Sequence, residues 1–142
     1  MRTLIPHVLA PVFVLVLMTF ALLALTGYRR LGAVRAGEVR VGDIALGQNA
    51  WPPHALKASN AFNNQFQLPI LFYALVAFAL LTGKQDVFFI VCEWLFVLTR
   101  LVHAGIHVTS NNVMQRFAAY VAGFAILALM WVWYAIRILG AF

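Results

Sequence analysis

Residues 99–120 read TRLVHAGIHVTSNNVMQRFAAY, and the fold turns on how this stretch is understood. Long apolar runs flank it, yet it holds Arg100, His103, His107, Asn111, Asn112, Arg116 and Tyr120. Its wholly polar middle, residues 109–112, suits a short turn between two membrane spans. Spans joined by so short a turn are antiparallel neighbours. Arg100 and Arg116 are therefore expected on adjacent helices in the same half of a bilayer.

The rest of the chain supports a membrane setting. Of its 142 residues, 64% are hydrophobic and 10% charged, and the mean hydropathy is +0.91. A soluble domain carries about a quarter charged residues, so one buried core cannot absorb this much apolar surface. Four stretches, about 4–26, 62–82, 87–108 and 113–136, each approach the roughly 20 residues that a helix needs to cross a 30 Å hydrocarbon slab. A single membrane domain over residues 1–142 is expected: an all-α, integral membrane four-helix bundle of up-down topology. The first span follows Arg2 as a signal peptide would, but it exceeds the roughly 7–15 apolar residues of such a segment and leads into Arg29 and Arg30. Cys92 is the one cysteine, which excludes a disulfide framework and suits a small buried hydrophobe.

Charge placement orients the bundle. The connection 28–57 carries Arg29, Arg30, Arg35, Arg40 and Lys57, whereas Lys84 stands alone between spans two and three. Positive residues mark the cytoplasmic side, so both termini are expected outside. Trp131, Trp133 and Tyr134 then fall in the outer aromatic belt. Within the connection, glycines at 32, 37, 42 and 47 and the alternation EVRVGDIAL suggest a short hairpin or a compact loop at the membrane surface. A solvated basic linker is the plainer alternative. WPPH at 51–54 is expected to break any helix ahead of span two. No nucleic-acid motif is present, and these few arginines suit anionic lipid headgroups.

Polar residues inside the spans fall into stripes. On a helix, positions three, four and seven apart share a face. Glu93, Arg100, His103 and His107 therefore line one side of span three, and Asn60, Asn64 and Gln67 one side of span two. Arg116 and Tyr120 lie one turn apart on span four. An arginine facing lipid at mid-membrane costs about 2.5–3.5 kcal/mol on insertion scales, so these groups should face one another or a partner subunit. Pro69 frees the carbonyl of Gln65 and should bend span two, and Pro11 does the same at His7.

Simple structural roles exist for each. Glu93 could neutralise Arg100, although about 10.5 Å of helix axis separates them. The asparagines could join helices by hydrogen bonds, and Arg116 could snorkel to the headgroups. Taken together, two converging arginines outnumber the nearby carboxylates and point to an external anion. A metal site is disfavoured: His103 and His107 have helical ligand spacing, but the glutamate of HExxH is missing and Cys92 is about 16 Å away along the axis.

These residues carry a resemblance. The polar start of span two running into FQLPILFY, and R-x-x-H followed by R-x-x-x-Y over spans three and four, are similar to the MAPEG family, the membrane-associated proteins of eicosanoid and glutathione metabolism, in a bacterial-type member. The resemblance implies a homotrimer in an inner membrane, with glutathione as co-substrate bound between subunits in the cytoplasmic half. It implies that Arg116 stabilises the glutathione thiolate and that Tyr120 touches the peptide, with Arg100 and His103 matching an arginine and a histidine upstream. Asn64 and Gln67 keep the spacing of the family's Asn-x-x-Glu, and Asn60 stands where an arginine is common. His107 falls where some members have tyrosine. Gln67 replaces the glutamate that engages the glutathione amine, and Phe117 replaces a serine found after the thiolate-binding arginine.

Overall fold

The computed structural model describes residues 4–45 and 50–140. Among the described residues five α-helices make four crossings: α1 (Ile5–Arg35), α2 (Pro53–Asn63), α3 (Leu68–Thr82), α4 (Val87–Val108) and α5 (Val113–Leu139). The second crossing is α2 and α3 in tandem, and all four crossings are long and apolar enough to span a membrane. The protein is thus the expected four-helix membrane bundle.

Local signals set the boundaries. The Asp86 side chain caps α4 by accepting the Phe89 N–H at 2.9 Å, and Asn112 caps α5 by accepting that of Gln115 at 3.1 Å. Gly83, at φ 66°, ends α3 in a left-handed conformation that glycine adopts without a steric penalty. Pro11 lies buried inside α1, which runs unbroken past it.

Span two differs from its sequence reading. Its helix starts at Pro53 rather than near residue 62, because proline at the first helical position loses a hydrogen bond that this position never makes. The bend expected at Pro69 lies a turn earlier. Asn64–Phe66 form one 3₁₀ turn, and Gln67, at φ −105° and ψ −107°, leaves the helix altogether. Pro69 then occupies the first turn of α3, where its missing N–H does no harm.

The connection 28–57 is also shorter than it reads. α1 continues to Arg35, about 46 Å of helix at 1.5 Å per residue, so its last turns rise beyond a 30 Å slab. Val41–Ile44 form a 3₁₀ turn where a short hairpin or a compact loop was expected, and no strand occurs among the described residues. Gly47 and the end of the alternating segment lie outside them. Gly32 does not interrupt α1, whereas Gly37, at φ 71°, ends it, with the Glu38 N–H donating to the Ala33 carbonyl at 3.0 Å. The far end of the helix is also gripped. Arg29 donates to the carbonyls of His54 (2.9 Å) and Val108 (3.2 Å), and Arg30 donates to the Ser59 hydroxyl (3.1 Å) and lies 4.8 Å from the Trp51 ring centre. Lys57 donates to the carbonyl of Thr109 at 3.1 Å, so cations from α1 and α2 satisfy the open end of α4.

α4 is the central helix, packed against α1, α2 and α5. Its buried face repeats every three or four residues through Phe89, Glu93, Phe96, Arg100, His103 and His107, the periodicity of one helical stripe. Phe96 stacks on Phe72 of α3 at 4.8 Å between ring centres. α5 buries a thinner line, Gly123, Leu127 and Met130. A Cβ on Gly123 would lie 2.7 Å from Thr99 Oγ1, so the absent side chain lets α5 approach α4 closely. The outward faces of α1 and α5, with Leu17, Phe20, Phe117 and Ile136 exposed, are what a lipid-facing surface requires. At the end of the bundle away from Arg116, Arg137 lies 3.8 Å from Asp86 and its guanidinium 5.3 Å from the Trp133 ring centre.

Candidate anion site beside the α4–α5 turn

The site is built where α4 ends, α5 begins and span two breaks. Arg100 emerges from the buried stripe of α4 and is fully enclosed. Its Nη2 donates to Asn64 Oδ1, an acceptor that the 3₁₀ turn supplies. Asn64 Nδ2 in turn donates to Gln67 Oε1 at 2.9 Å. On the α5 side, the Arg100 guanidinium carbon lies 5.9 Å from the centre of the Tyr120 ring, within cation–π range. His103 completes the wall, its ring 6.0 Å from Tyr120 and 5.7 Å from His107.

Arg116, in the first turn of α5, is half-buried and turned back toward α4 rather than out to the headgroups. Its Nη1 donates to Asn111 Oδ1 and lies 3.4 Å from His107 Nε2. A cavity of about 190 Å³ opens between Asn64, His103, Arg116 and Tyr120, with Val113 and Phe117 at its side. Among the described residues no carboxylate lines it.

Five of the seven residues selected from sequence are thus brought together: Asn64, Arg100, His103, Arg116 and Tyr120. Arg100 stands behind the cavity wall, so it acts on the cavity through its charge and through Asn64. Gln67 is exposed and joins the group through Asn64. Asn60 does not join it. This residue lines a separate cavity of about 250 Å³ with Lys57 and Asn111. Two contributors, His107 and Asn111, were outside the selection. Asn111 could have been found as an asparagine just after a helix end, where a left-handed conformation is common.

Glu93 is fully buried, and neither of its carboxylate oxygens has a hydrogen-bond partner among the described residues. The pairing with Arg100 considered from sequence is not formed. Arg100 Nε and Nη1 are likewise without partners among the described residues, as are the Nδ1 atoms of His103 and His107. Cys92 is buried on the same face of α4. Among the described residues no three of His, Cys, Asp and Glu converge in a way that could hold a metal ion.

A four-helix membrane bundle with cations gathered at a break in its second crossing defines a class: a multi-pass membrane protein with a polar site within its helix bundle. The chain belongs to the MAPEG family, whose model matches residues 8–136. Comparison with curated proteins and with solved structures found no match.

Proposed function

We propose that this protein is a glutathione-dependent membrane transferase or peroxidase acting on lipophilic electrophiles. The MAPEG family includes such enzymes as well as non-catalytic members. The observation that carries the reading is the half-buried Arg116 on a cavity to which no described residue brings a carboxylate. An anion brought from outside would complete that site.

In this reading Arg116 donates to the sulfur of glutathione and holds it as thiolate. A free thiol of this kind has a pKa near 8.5, and lowering it by two units takes about 2.7 kcal/mol. One charge-assisted hydrogen bond, worth about 1.5–3 kcal/mol, nearly suffices. The thiol proton leaves to solvent. The thiolate then attacks the electrophilic carbon, forming a C–S bond as the leaving group departs with its electron pair. Tyr120 and His103 form the wall that orients the peptide. Asn64 and Gln67 offer amide partners, Arg100 keeps the cavity positive, and Asn60 reaches peptide atoms beyond it.

A volume of about 190 Å³ is below the roughly 300–1,000 Å³ of ordinary ligand pockets. This shortfall supports a homotrimer in which glutathione lies partly against a neighbouring subunit. We place this end of the bundle on the cytoplasmic side, with the basic turns of α1 among the headgroups. An apolar acceptor would arrive through surrounding membrane lipid.

Calorimetry and thermal shift in detergent should detect glutathione binding by the intact oligomer. Conjugation of glutathione to a chlorinated nitroaromatic should fall to background in Arg116→Ala. The same small cavity favours a second reading, a non-catalytic scaffold or lipid-binding protein. That protein would leave the aromatic untouched in the presence of native lipids and would be indifferent to Arg116→Ala.

A further inference from the structure

The turn between α4 and α5 does more than join two helices. Asn111 has φ 55°, the one positive φ among the described residues other than glycine. Its N–H donates to the carbonyl of Ile106 at 2.7 Å, which closes the end of α4. Its side-chain oxygen accepts from Arg116 Nη1, while His107 Nε2 stands 3.4 Å from the same nitrogen. The first turn of α5 is fixed separately, by the Asn112 cap and by the Arg116 N–H on the Asn112 carbonyl at 3.0 Å. The Arg116 backbone is therefore held by α5, and its guanidinium is held from the end of α4.

We infer that Asn111 is a positioning residue for Arg116. Its neutral oxygen orients the guanidinium across the cavity without cancelling the charge. The inference rests on the glutathione reading above and adds a residue to it. Few side chains serve here. The backbone must tolerate a left-handed conformation, which suits asparagine, aspartate and glycine. Of these three, asparagine alone presents an uncharged acceptor. Aspartate would pair with Arg116 and compete with any incoming anion, and glycine would leave the side chain loose.

Two substitutions separate the side chain from the turn, because both residues tolerate the same φ. Binding of glutathione, and of its permanently charged sulfonate analogue, is measured by calorimetry on the full chain in detergent, alongside melting temperature and oligomer size. Asn111→Gly should weaken both ligands about tenfold, since a freed arginine must be re-ordered on binding. Asn111→Asp should weaken them on the order of a hundredfold, because the carboxylate occupies Arg116. Melting temperatures should stay close to that of the parent. Glutathione bound to Asn111→Gly should also show less thiolate ultraviolet absorbance than glutathione bound to the parent.

Equal affinities in Asn111→Gly, Asn111→Asp and the parent, with binding still abolished in Arg116→Ala, would overturn the inference and leave the glutathione reading standing. Tighter binding in Asn111→Gly would overturn it too, by making Asn111 an obstruction. Absence of binding in the parent would remove both. Should Asn111→Asp fail to assemble, the glycine variant and its thiolate signal decide.

Discussion

Gly123→Ala tests the contact that sets the distance between α4 and α5. The new methyl carbon would lie 2.7 Å from Thr99 Oγ1, 3.6 Å from Thr99 Cβ and 3.8 Å from Arg100 Cδ. The last two are ordinary contacts, so the whole conflict is with one hydroxyl. That hydroxyl donates to the carbonyl of Phe96 at 2.7 Å, and turning it away gives up a hydrogen bond worth about 1 kcal/mol. Forcing the helices apart instead costs about 1–3 kcal/mol, the usual range for adding a methyl group to a packed core. Replacing glycine by alanine within a helix returns about 0.8–1 kcal/mol. The cheaper relief, turning the hydroxyl, sets the outcome, so the expected net change is close to zero. In a Thr99→Ala background the clash is gone and the same substitution should stabilise by about 1 kcal/mol. The measurement is a double-mutant cycle by reversible unfolding in mixed detergent micelles, followed by helical circular dichroism. A coupling near 1 kcal/mol is expected, and one below about 0.5 kcal/mol, the scatter of independent sites, would refute the packing argument.

Arg29→Met should lower stability by about 1–3 kcal/mol through loss of two carbonyl contacts, with Arg29→Lys recovering only part of it in the same unfolding assay. Asn64→Leu removes the partner of the enclosed Arg100; a loss of roughly 3 kcal/mol is expected, and a variant as stable as the parent would mean that Arg100 has another partner. Glu93→Gln should be neutral or stabilising, because the carboxylate it replaces has no partner among the described residues. A drop of more than about 1 kcal/mol there would expose an unseen cation.

The helical stripes were the legible part of the sequence. Glu93, Arg100, His103 and His107 all lie on the buried face of α4, as their three-, four- and seven-residue spacing required. Arg116 and Tyr120 came together with them because a four-residue turn leaves two helices little freedom. Helix ends were less legible, for a physical reason. Apolar length marks where a chain lies in lipid, but α1 and α2 continue as helices past the apolar zone. Contacts distant in sequence, Arg29 to Val108 and Lys57 to Thr109, hold them there. The 3₁₀ turn at Asn64–Phe66 was hidden likewise. Proline announced a break but not its side: the chain leaves the helix at Gln67, before Pro69. Glu93 was read as a counter-charge because charges in membranes usually pair. Val97 and Phe96, on the same buried face, fill the interval between it and Arg100.

The grip of Arg29 and Lys57 on the last carbonyls of α4 bears on how the molecule is assembled. Both donors are synthesised before the oxygens they bind, so a chain threading into the bilayer from its amino end meets a waiting clasp when its third crossing finishes. The carboxy-terminal half made alone would carry Arg100, His103, Arg116 and Tyr120 with that clasp missing. Supplying the amino-terminal half as a separate polypeptide should restore it.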